Sequence, residues 1–127
     1  MENKRTVLLA DANEDFRTML REIIESSEEF TVVGDTGDGV EAQRLLERKE
    51  PELAIVDLVL PGTDGVGLLR QVKEQGGKTK IFVLSAFCTD QVVAEVTGLG
   101  AAYFLPKPCE PETLLDRMRS LFSQPAT

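Results

Sequence analysis

Short apolar segments recur along the whole chain, and most of them contain β-branched residues. None alternates between apolar and polar positions, as a strand with one solvent-exposed face would. Nearly continuous hydrophobicity over four or five residues is typical of strands that are buried on both faces, as in a parallel sheet. The sequence therefore predicts five buried strands, at residues 6–10, 30–33, 53–56, 81–84 and 101–105.

The segments between these strands carry apolar residues at helical spacing, three and four positions apart. Asn13 or Asp15 is suited to cap the first predicted helix, and Glu110-Pro111-Glu112 is suited to begin the last. The apolar stripes of the five predicted helices are Phe16, Met19, Leu20, Ile23 and Ile24; Val40, Leu45 and Leu46; Val66, Leu69 and Val72; Val92, Val93 and Val96; and Leu114, Leu115, Met118, Leu121 and Phe122.

Strands that alternate with helices indicate an α/β fold with right-handed crossovers. We expect a doubly wound, five-stranded parallel sheet in the order 2-1-3-4-5, flanked by five helices. The 127 residues suit one domain. We assign residues 1–122 to this domain. Residues 123–127 lack apolar anchors and are predicted to begin a linker, so that either the protein ends here or a longer protein continues into an output domain.

In an open α/β sheet, ligands bind outside the carboxyl ends of the strands. The first, third, fourth and fifth predicted strands end at Asp11, Asp57, Ser85 and Lys107. The second ends at residues 34–35 and would lie at the edge of the sheet, so it offers less. One Asp at a strand end is more typical of a turn or a helix cap. Four reactive or charged residues at four strand ends indicate a functional site.

Asp, Ser and Lys side chains can act together in one site. Two neighbouring carboxylates repel each other, and a hard divalent cation such as Mg²⁺ relieves the repulsion through oxygen ligands. A carboxylate can also act as a nucleophile that carries a phosphoryl group. Lys107 could then supply a positive charge to the phosphoryl oxygens, and Ser85 could supply a hydroxyl group. The strand ends therefore predict a phosphoryl-accepting site.

Composition excludes several other classes of function. Fourteen basic and 22 acidic residues give a net charge of −8, and there is no histidine. We expect no direct nucleic-acid binding, because an acidic domain repels phosphate backbones, and no basic membrane-binding patch. Without histidine, Ser-His-Asp and Cys-His sites, histidine-ligated metals and a phosphohistidine carrier are excluded. No apolar run is long enough to span a membrane, and two cysteines suit a reducing compartment, so we expect a soluble, cytoplasmic protein.

Four segments, VLLADANEDF, LAIVDLVLPGTDG, IFVLSAF and LGAAYFLPKP, together cover the strand ends. They resemble the receiver domains of bacterial two-component response regulators. Within that family, the ADxNxDF-like opening, SAF and AAYFLPKP are most similar to the sporulation regulators of endospore-forming bacteria. The resemblance implies the flavodoxin-like (βα)5 receiver fold. It also implies a signalling switch that catalyses only its own phosphorylation and dephosphorylation, and not a turnover enzyme.

By this resemblance, Asp57 is the phosphoacceptor. Asp11 and Asp57 belong to the pocket that holds Mg²⁺, with the backbone carbonyl of Val59 as a further ligand. Ser85 and Lys107 contact the phosphoryl group. These roles are carried over from the family motifs onto the matching positions of this chain.

The resemblance also implies partners and a switch. Ser85 and Phe104 occupy the positions that move on phosphorylation, and the Lys107-Pro108 peptide bond is commonly cis in the family. A histidine kinase or phosphotransfer protein would supply the phosphoryl group. A C-terminal DNA-binding output domain would respond to the change and control transcription. A homodimer could form on phosphorylation.

One position departs from the family pattern. Receivers usually carry two adjacent acidic residues after the first strand, and this chain has Asp11-Ala12. The second acid is usually the direct metal ligand, so we expect weaker Mg²⁺ binding here. Asn13, Glu14 or Asp15 could substitute for it, and Glu14 has the most suitable reach. The alternative hypothesis is a pseudo-receiver, which never takes phosphate and acts as a phosphorylation-independent interaction module.

Overall fold

The computed structural model describes residues 4–122. Strands and helices alternate along this part of the chain, as the hydrophobic pattern predicts. The elements are β1 (Arg5–Ala10), α1 (Glu14–Ser26), β2 (Phe30–Thr36), α2 (Gly39–Lys49), β3 (Leu53–Val56), α3 (Gly65–Glu74), β4 (Lys80–Ser85), α4 (Asp90–Gly98), β5 (Tyr103–Pro106) and α5 (Pro111–Phe122). Residues 123–127, which we predicted as the start of a linker, lie outside the described part.

The five strands form one sheet in the order β2-β1-β3-β4-β5, and every neighbouring pair is parallel. The predicted doubly wound α/β fold is therefore confirmed. β3 lies between two other strands, and all four of its residues are buried. Its continuous apolar sequence follows from this position, because helices cover both of its faces.

Alternate residues of β1 belong to two separate cores, one on each face of the sheet. Val7 and Leu9 pack with residues of α1 and α5, whereas Leu8 and Ala10 pack with residues of α2, α3 and α4. All four side chains are fully buried. Burial of one such Val or Leu side chain contributes about 1.5–3 kcal/mol, so the sheet is held from both sides.

The helix starts follow from their caps. Asn13, one of the two candidates, caps α1 by accepting the N–H of Phe16 at 2.9 Å. Asp38 and Asp64 accept backbone N–H groups in the same way at the starts of α2 and α3. These side chains satisfy donors that have no partner within the helix. α5 begins at Pro111 as predicted.

β2 is longer than the sequence predicts. It continues to Thr36, so our expectation that it ends at residues 34–35 is wrong. The pairing with β1 shifts between Val7↔Val32 and Leu8↔Gly34, which leaves one extra residue in β2. Such a bulge bends the strand and allows pairing to resume beyond it. The residues after the bulge are mostly polar, as an edge strand allows. The hydrophobic pattern therefore gives no sign that the strand continues there.

β5 begins two residues later than predicted, at Tyr103. The N–H of Ala101 still bonds to the carbonyl of Val96 at 3.0 Å and closes the end of α4. The N–H of Ala102 donates to the carbonyl of Ile81 at 2.8 Å and leads into the ladder. The two small apolar residues therefore belong to the turn between α4 and β5.

The loop between β3 and α3 packs directly on the start of α2. The N–H of Gly39 donates to the carbonyl of Pro61 at 2.8 Å. A Cβ atom added to Gly39 would lie 1.6 Å from the backbone oxygen of Thr63, so no larger residue fits without displacement of this loop. Gly62, at φ +81°, makes the accompanying turn in the left-handed region. The loop that follows the third strand is thus held by close backbone contact.

Replacement of Gly39 by Ala tests this contact. We expect Gly39→Ala to lower the free energy of unfolding by about 2 kcal/mol or more, because the added methyl group overlaps the loop backbone. Gly98→Ala is the matched control, since a Cβ there meets nothing within 4 Å, and it should be neutral or stabilising by up to about 1 kcal/mol. Urea denaturation measures both, and equal stabilities of the two variants would contradict the packing argument.

Candidate functional site

The carboxyl ends of β1, β3 and β5 bring three charged residues together. Asp57 follows β3, and its N–H donates to the carbonyl of Ala10 at 2.9 Å. Lys107 follows β5, and its N–H donates to the carbonyl of Ser85 at 2.9 Å. Asp11 follows β1 and is buried. Each residue prolongs its strand by one position, so the sheet fixes where its side chain starts.

The Lys107 ammonium bridges the two carboxylates. Its Nζ atom lies 2.7 Å from Asp11 Oδ2 and 2.8 Å from Asp57 Oδ2. It also lies 4.3 Å from the centre of the Phe16 ring, at a distance suited to a cation–π interaction. The three charged side chains are 17%, 7% and 14% exposed, respectively. These are short charge-assisted hydrogen bonds in a poorly hydrated place.

Burial and the neighbouring carboxylates have opposing effects on the pKa of Lys107. Burial by itself would lower the pKa of Lys107, because it disfavours the charged ammonium. The hydrogen bonds and charges of Asp11 and Asp57 outweigh burial and raise that pKa above its ordinary value. Lys107 is therefore a fixed positive charge at neutral pH.

A backbone amide orients each carboxylate from the other side. The N–H of Asn13 donates to Asp11 Oδ1 at 2.9 Å, and the N–H of Val59 donates to Asp57 Oδ1 at 3.2 Å. Each carboxylate thus has one oxygen on the ammonium and one on its own loop. The side chain of Val59 is exposed.

Ser85 and Phe104 lie at the neighbouring strands. Ser85 ends β4 and is fully buried. Its Oγ accepts the N–H of Phe87 at 3.1 Å, which leaves the hydroxyl proton as a donor. Phe104 is half-buried on β5 and packs against the core on the α2, α3 and α4 side. The strand register pairs Ser85 with Pro106 and Val83 with Phe104, so Phe104 lies on the neighbouring strand, two positions before the level of Ser85.

The oxygen donors near Ala12 are fewer than the family pattern leads one to expect. Glu14 is the first residue of α1 and is exposed. Within residues 4–122, no group of three or more acidic or Cys side chains is placed to hold a metal. Two carboxylates suit the oxygen preference of Mg²⁺, but the donor set is one acid short.

The two cysteines are not paired with each other. Cys88 is exposed and Cys109 is half-buried, and both are free thiols. Burial raises the pKa of the Cys109 thiol, and the nearby Lys107 charge opposes this effect only in part. A protonated thiol is a poor nucleophile and a poor metal ligand.

Two residues of the site were missed by the sequence reasoning. Phe16 is predicted only as a core position, yet its ring lies against the Lys107 ammonium. Arg17 is not predicted at all, although its Nη1 atom donates to the backbone carbonyl of Asp11 at 2.6 Å. The one sequence feature that could have pointed to Arg17 is its position beside the apolar stripe of the first helix. Charged residues are common at the flanks of such stripes, so this position does not single out Arg17.

Comparison with known proteins identifies the family. The model of the response regulator receiver domain matches residues 7–119, so the chain belongs to the response regulator receiver domain family. It is similar to the signal receiver domain of NarL from Mycobacterium tuberculosis, with 25% identity, coverage of 97% of this chain and 100% of that one, and a TM-score of 0.91.

Two further solved structures are similar. The response regulator domain of CheB from Thermotoga maritima is 24% identical over 97% of this chain and 100% of that one, with a TM-score of 0.87. A DNA-binding response regulator of the LuxR family from Staphylococcus aureus is 19% identical over 92% and 98%, with a TM-score of 0.88. Both show the same fold.

These findings confirm the receiver identification and the flavodoxin-like (βα)5 fold. Receiver domains are signalling switches of two-component systems, and as a family they are generally not turnover enzymes. The narrower resemblance to sporulation regulators gains no support from the comparisons. Among residues 4–122, no helix is both long enough and apolar enough to cross a bilayer.

Removal of the bridging ammonium tests its part in the fold. We expect Lys107→Ala to lower the free energy of unfolding by roughly 2 kcal/mol, because two carboxylates then face each other without a cation. Asp57→Asn in the Lys107→Ala background should recover part of this loss. The exposed Lys73→Ala variant is the control and should change little. A double variant no more stable than Lys107→Ala would contradict the account; urea denaturation supplies the values.

Proposed function

We propose that this receiver domain is a phosphoacceptor switch in a two-component or phosphorelay pathway. Asp57 takes a phosphoryl group from a phosphohistidine on a histidine kinase or phosphotransfer protein. The observation that carries the proposal is the Lys107 ammonium held between Asp57 and Asp11, at the edge of the sheet where such folds bind ligands. The absence of histidine from the sequence suits a recipient of the phosphoryl group and not a donor.

The proposed transfer is a displacement at phosphorus. A carboxylate oxygen of Asp57 forms a bond to phosphorus while the P–N bond of the donor breaks. The departing imidazole takes the electron pair of that bond and gains a proton from solvent. The products are an aspartyl phosphate on this chain and a neutral histidine on the partner.

The neighbouring side chains are proposed to stabilise the added oxygens. The phosphoryl group carries about −1.5 to −2 units of charge at neutral pH, in place of the single negative charge of the Asp57 carboxylate. Lys107 is already within 2.8 Å of the Asp57 carboxylate, so a small movement brings its ammonium to a phosphoryl oxygen. Ser85 would donate its hydroxyl proton to another oxygen.

A divalent cation is part of the proposal. Asp11, Asp57 and the backbone carbonyl of Val59 would hold Mg²⁺, and Glu14 remains a sequence-based candidate for a further ligand. When bound, Mg²⁺ neutralises the negative charge that Asp57 and the phosphoryl oxygens share. The side chain of Ala12 has no oxygen that could bind a metal ion. We therefore expect this site to bind Mg²⁺ more weakly than a site with three acidic residues.

The response to phosphorylation is proposed as a shift between two packings. Ser85 would move toward the phosphoryl group, and Phe104 would turn inward behind it. Phe104 is half-buried, so an inward turn would bury more of its ring. The surface formed by α4, β5 and α5 would then change.

The output is also a proposal. We assign residues 1–122 to the receiver and 123–127 to the start of a linker toward a DNA-binding domain that regulates transcription. A DNA-binding response regulator is among the similar structures, which supports this class of output. A homodimer could form on phosphorylation, and the cytoplasm is the proposed location. Sporulation remains a resemblance of sequence segments alone, so the proposal does not depend on it.

Ala12 favours one second candidate, a pseudo-receiver that acts as an interaction module without phosphorylation. Its support is that Ala12 stands where receivers usually carry the second acid. This candidate and the switch make opposite predictions for labelling by a small phosphodonor.

Labelling of Asp57 separates the two candidates. Incubation with acetyl phosphate and Mg²⁺ should add a phosphoryl group to the wild-type chain, detected as a mass increase. Asp57→Asn should abolish it, because the amide is not a nucleophile. Asp64→Asn is the matched control, since Asp64 only caps α3 and Asn caps equally well. Labelling of Asp57→Asn at the wild-type rate would refute the assignment.

Restoration of the missing acid tests the role of Ala12. We expect Ala12→Asp to raise the affinity for Mg²⁺ by about tenfold or more, because it adds an oxygen ligand and a negative charge. The concentration of Mg²⁺ that gives half-maximal labelling should fall accordingly. Thermal stability over the same Mg²⁺ series gives a second measure of binding. Unchanged values would show that Ala12 does not weaken the metal site.

A further inference from the structure

Arg17 contacts the charged site from α1 and bonds to the backbone of Asp11. Its Nη1 atom donates to the backbone carbonyl of Asp11 at 2.6 Å. The side chain is only 17% exposed, although it belongs to the first turns of α1. An arginine that is largely buried beside a buried aspartate is held there by specific contacts.

Asp11 has a partner for each of its polar groups. Its N–H donates to the carbonyl of Thr36 at 3.0 Å, and its carboxylate accepts from the Asn13 amide and the Lys107 ammonium. Arg17 binds the remaining group, the carbonyl. That carbonyl begins the turn to Ala12, where the chain leaves the sheet. The direction of the Asp11 side chain therefore depends on where Arg17 holds this peptide.

The contact with Asp11 is the principal one that Arg17 makes. Its Nε atom is 3.8 Å from Asp35 Oδ1, which is too long for a hydrogen bond. This Nε is buried and has no hydrogen-bond partner within residues 4–122. Asp35 is instead bonded by Arg21, one turn further along α1. Pairing with Asp35 alone would not require Arg17 to approach the Asp11 carbonyl.

Gly37 provides the space for this arrangement. A Cβ atom added there would lie 2.7 Å from Arg17 Nη1 and 3.5 Å from the Cα atom of Ala12. The guanidinium, the Asp11 carbonyl and Ala12 thus surround the space beside Gly37, and a Cβ atom there would require the end of the Arg17 side chain to shift. The family pattern expects an acid at Ala12, whereas this chain places the Arg17 positive charge beside that position.

We propose that Arg17 is a positioning residue for Asp11. In a site with two carboxylates and no second acid in the turn, the Arg17 hydrogen bond fixes the peptide that aims Asp11 at Lys107. Lys107 in turn holds Asp57, so the effect reaches the phosphoacceptor. This inference rests on the proposed phosphorylation of Asp57, and its test includes one readout that does not.

The test compares two arginines of the same helix. Arg17→Ala and Arg21→Ala each remove an arginine near Asp35, but only Arg17 touches Asp11. With acetyl phosphate and saturating Mg²⁺, we expect the maximal labelling rate to fall about tenfold in Arg17→Ala and less than about twofold in Arg21→Ala. The acetyl phosphate concentration at half-maximal rate should not change.

Two further variants separate position from charge. Arg17→Lys keeps one donor and should recover part of the rate. Gly37→Ala keeps Arg17 but crowds its terminal nitrogen, and it should slow labelling as well. Equal losses in Arg17→Ala and Arg21→Ala would overturn the proposal, because they would reduce the role of Arg17 to its charge near Asp35.

Amide hydrogen exchange supplies the independent readout. The Asn13 N–H donates to Asp11 Oδ1, so its protection reports the direction of that carboxylate in the unphosphorylated chain. We expect faster exchange at Asn13 in Arg17→Ala and no change in Arg21→Ala. Unchanged exchange in Arg17→Ala would refute the positioning role. If the wild-type chain takes no phosphoryl group, the proposed function fails, and this measurement still decides on Arg17.

Discussion

The bridge from Lys107 to two carboxylates is the interaction on which the site depends. Asp11 and Asp57 lie at the ends of adjacent parallel strands, and two such charges repel each other strongly when they are poorly hydrated. A single ammonium at 2.7 and 2.8 Å offsets that repulsion. It also ties β5 to β1 and β3 at the edge where the chemistry is proposed to occur. The same proximity makes Lys107 available to a phosphoryl oxygen, so one residue stabilises both the unmodified and the modified site.

Backbone contacts then hold the loops around this bridge. The loop after Asp57 packs on the start of α2 through Gly39, where a Cβ atom would overlap the loop backbone. The turn after Asp11 is held by Arg17 across the gap left by Gly37. Receivers usually carry a second acid where this chain has Ala12. We propose that hydrogen bonds of the protein hold this turn in part, where a bound metal ion would otherwise do so.

Much of this arrangement can be predicted from the sequence. Continuous apolar runs predicted the strands that are buried on both faces. The charged residues that follow the third and fifth runs, Asp57 and Lys107, were predicted to lie together at the carboxyl ends of the strands. The length of β2 was underestimated, because its pairing with β1 continues past a bulge into polar residues that carry no hydrophobic signal. Arg17 could not be predicted, because its contact is a side chain on a backbone carbonyl, and such a bond requires no particular residue at the accepting position. Glu14 was predicted as a metal ligand because its side chain is long enough to reach the site. Its exposure at the start of α1 depends on the direction of the helix, which the spacing of residues in the sequence does not define.

The central claim is that Asp57 accepts a phosphoryl group in a site with Ala12 in place of the second acid. Addition of beryllofluoride, which mimics a phosphoryl group on a carboxylate, tests this claim without a partner protein. Titration with Mg²⁺ at saturating beryllofluoride, followed by backbone amide spectra, should give a stoichiometric adduct of the wild-type chain. Shifts should extend from Asp57 to α4, β5 and α5, and Asp57→Asn should show none. A wild-type chain whose spectrum stays unchanged at high Mg²⁺ would contradict the account and support a phosphorylation-independent interaction module.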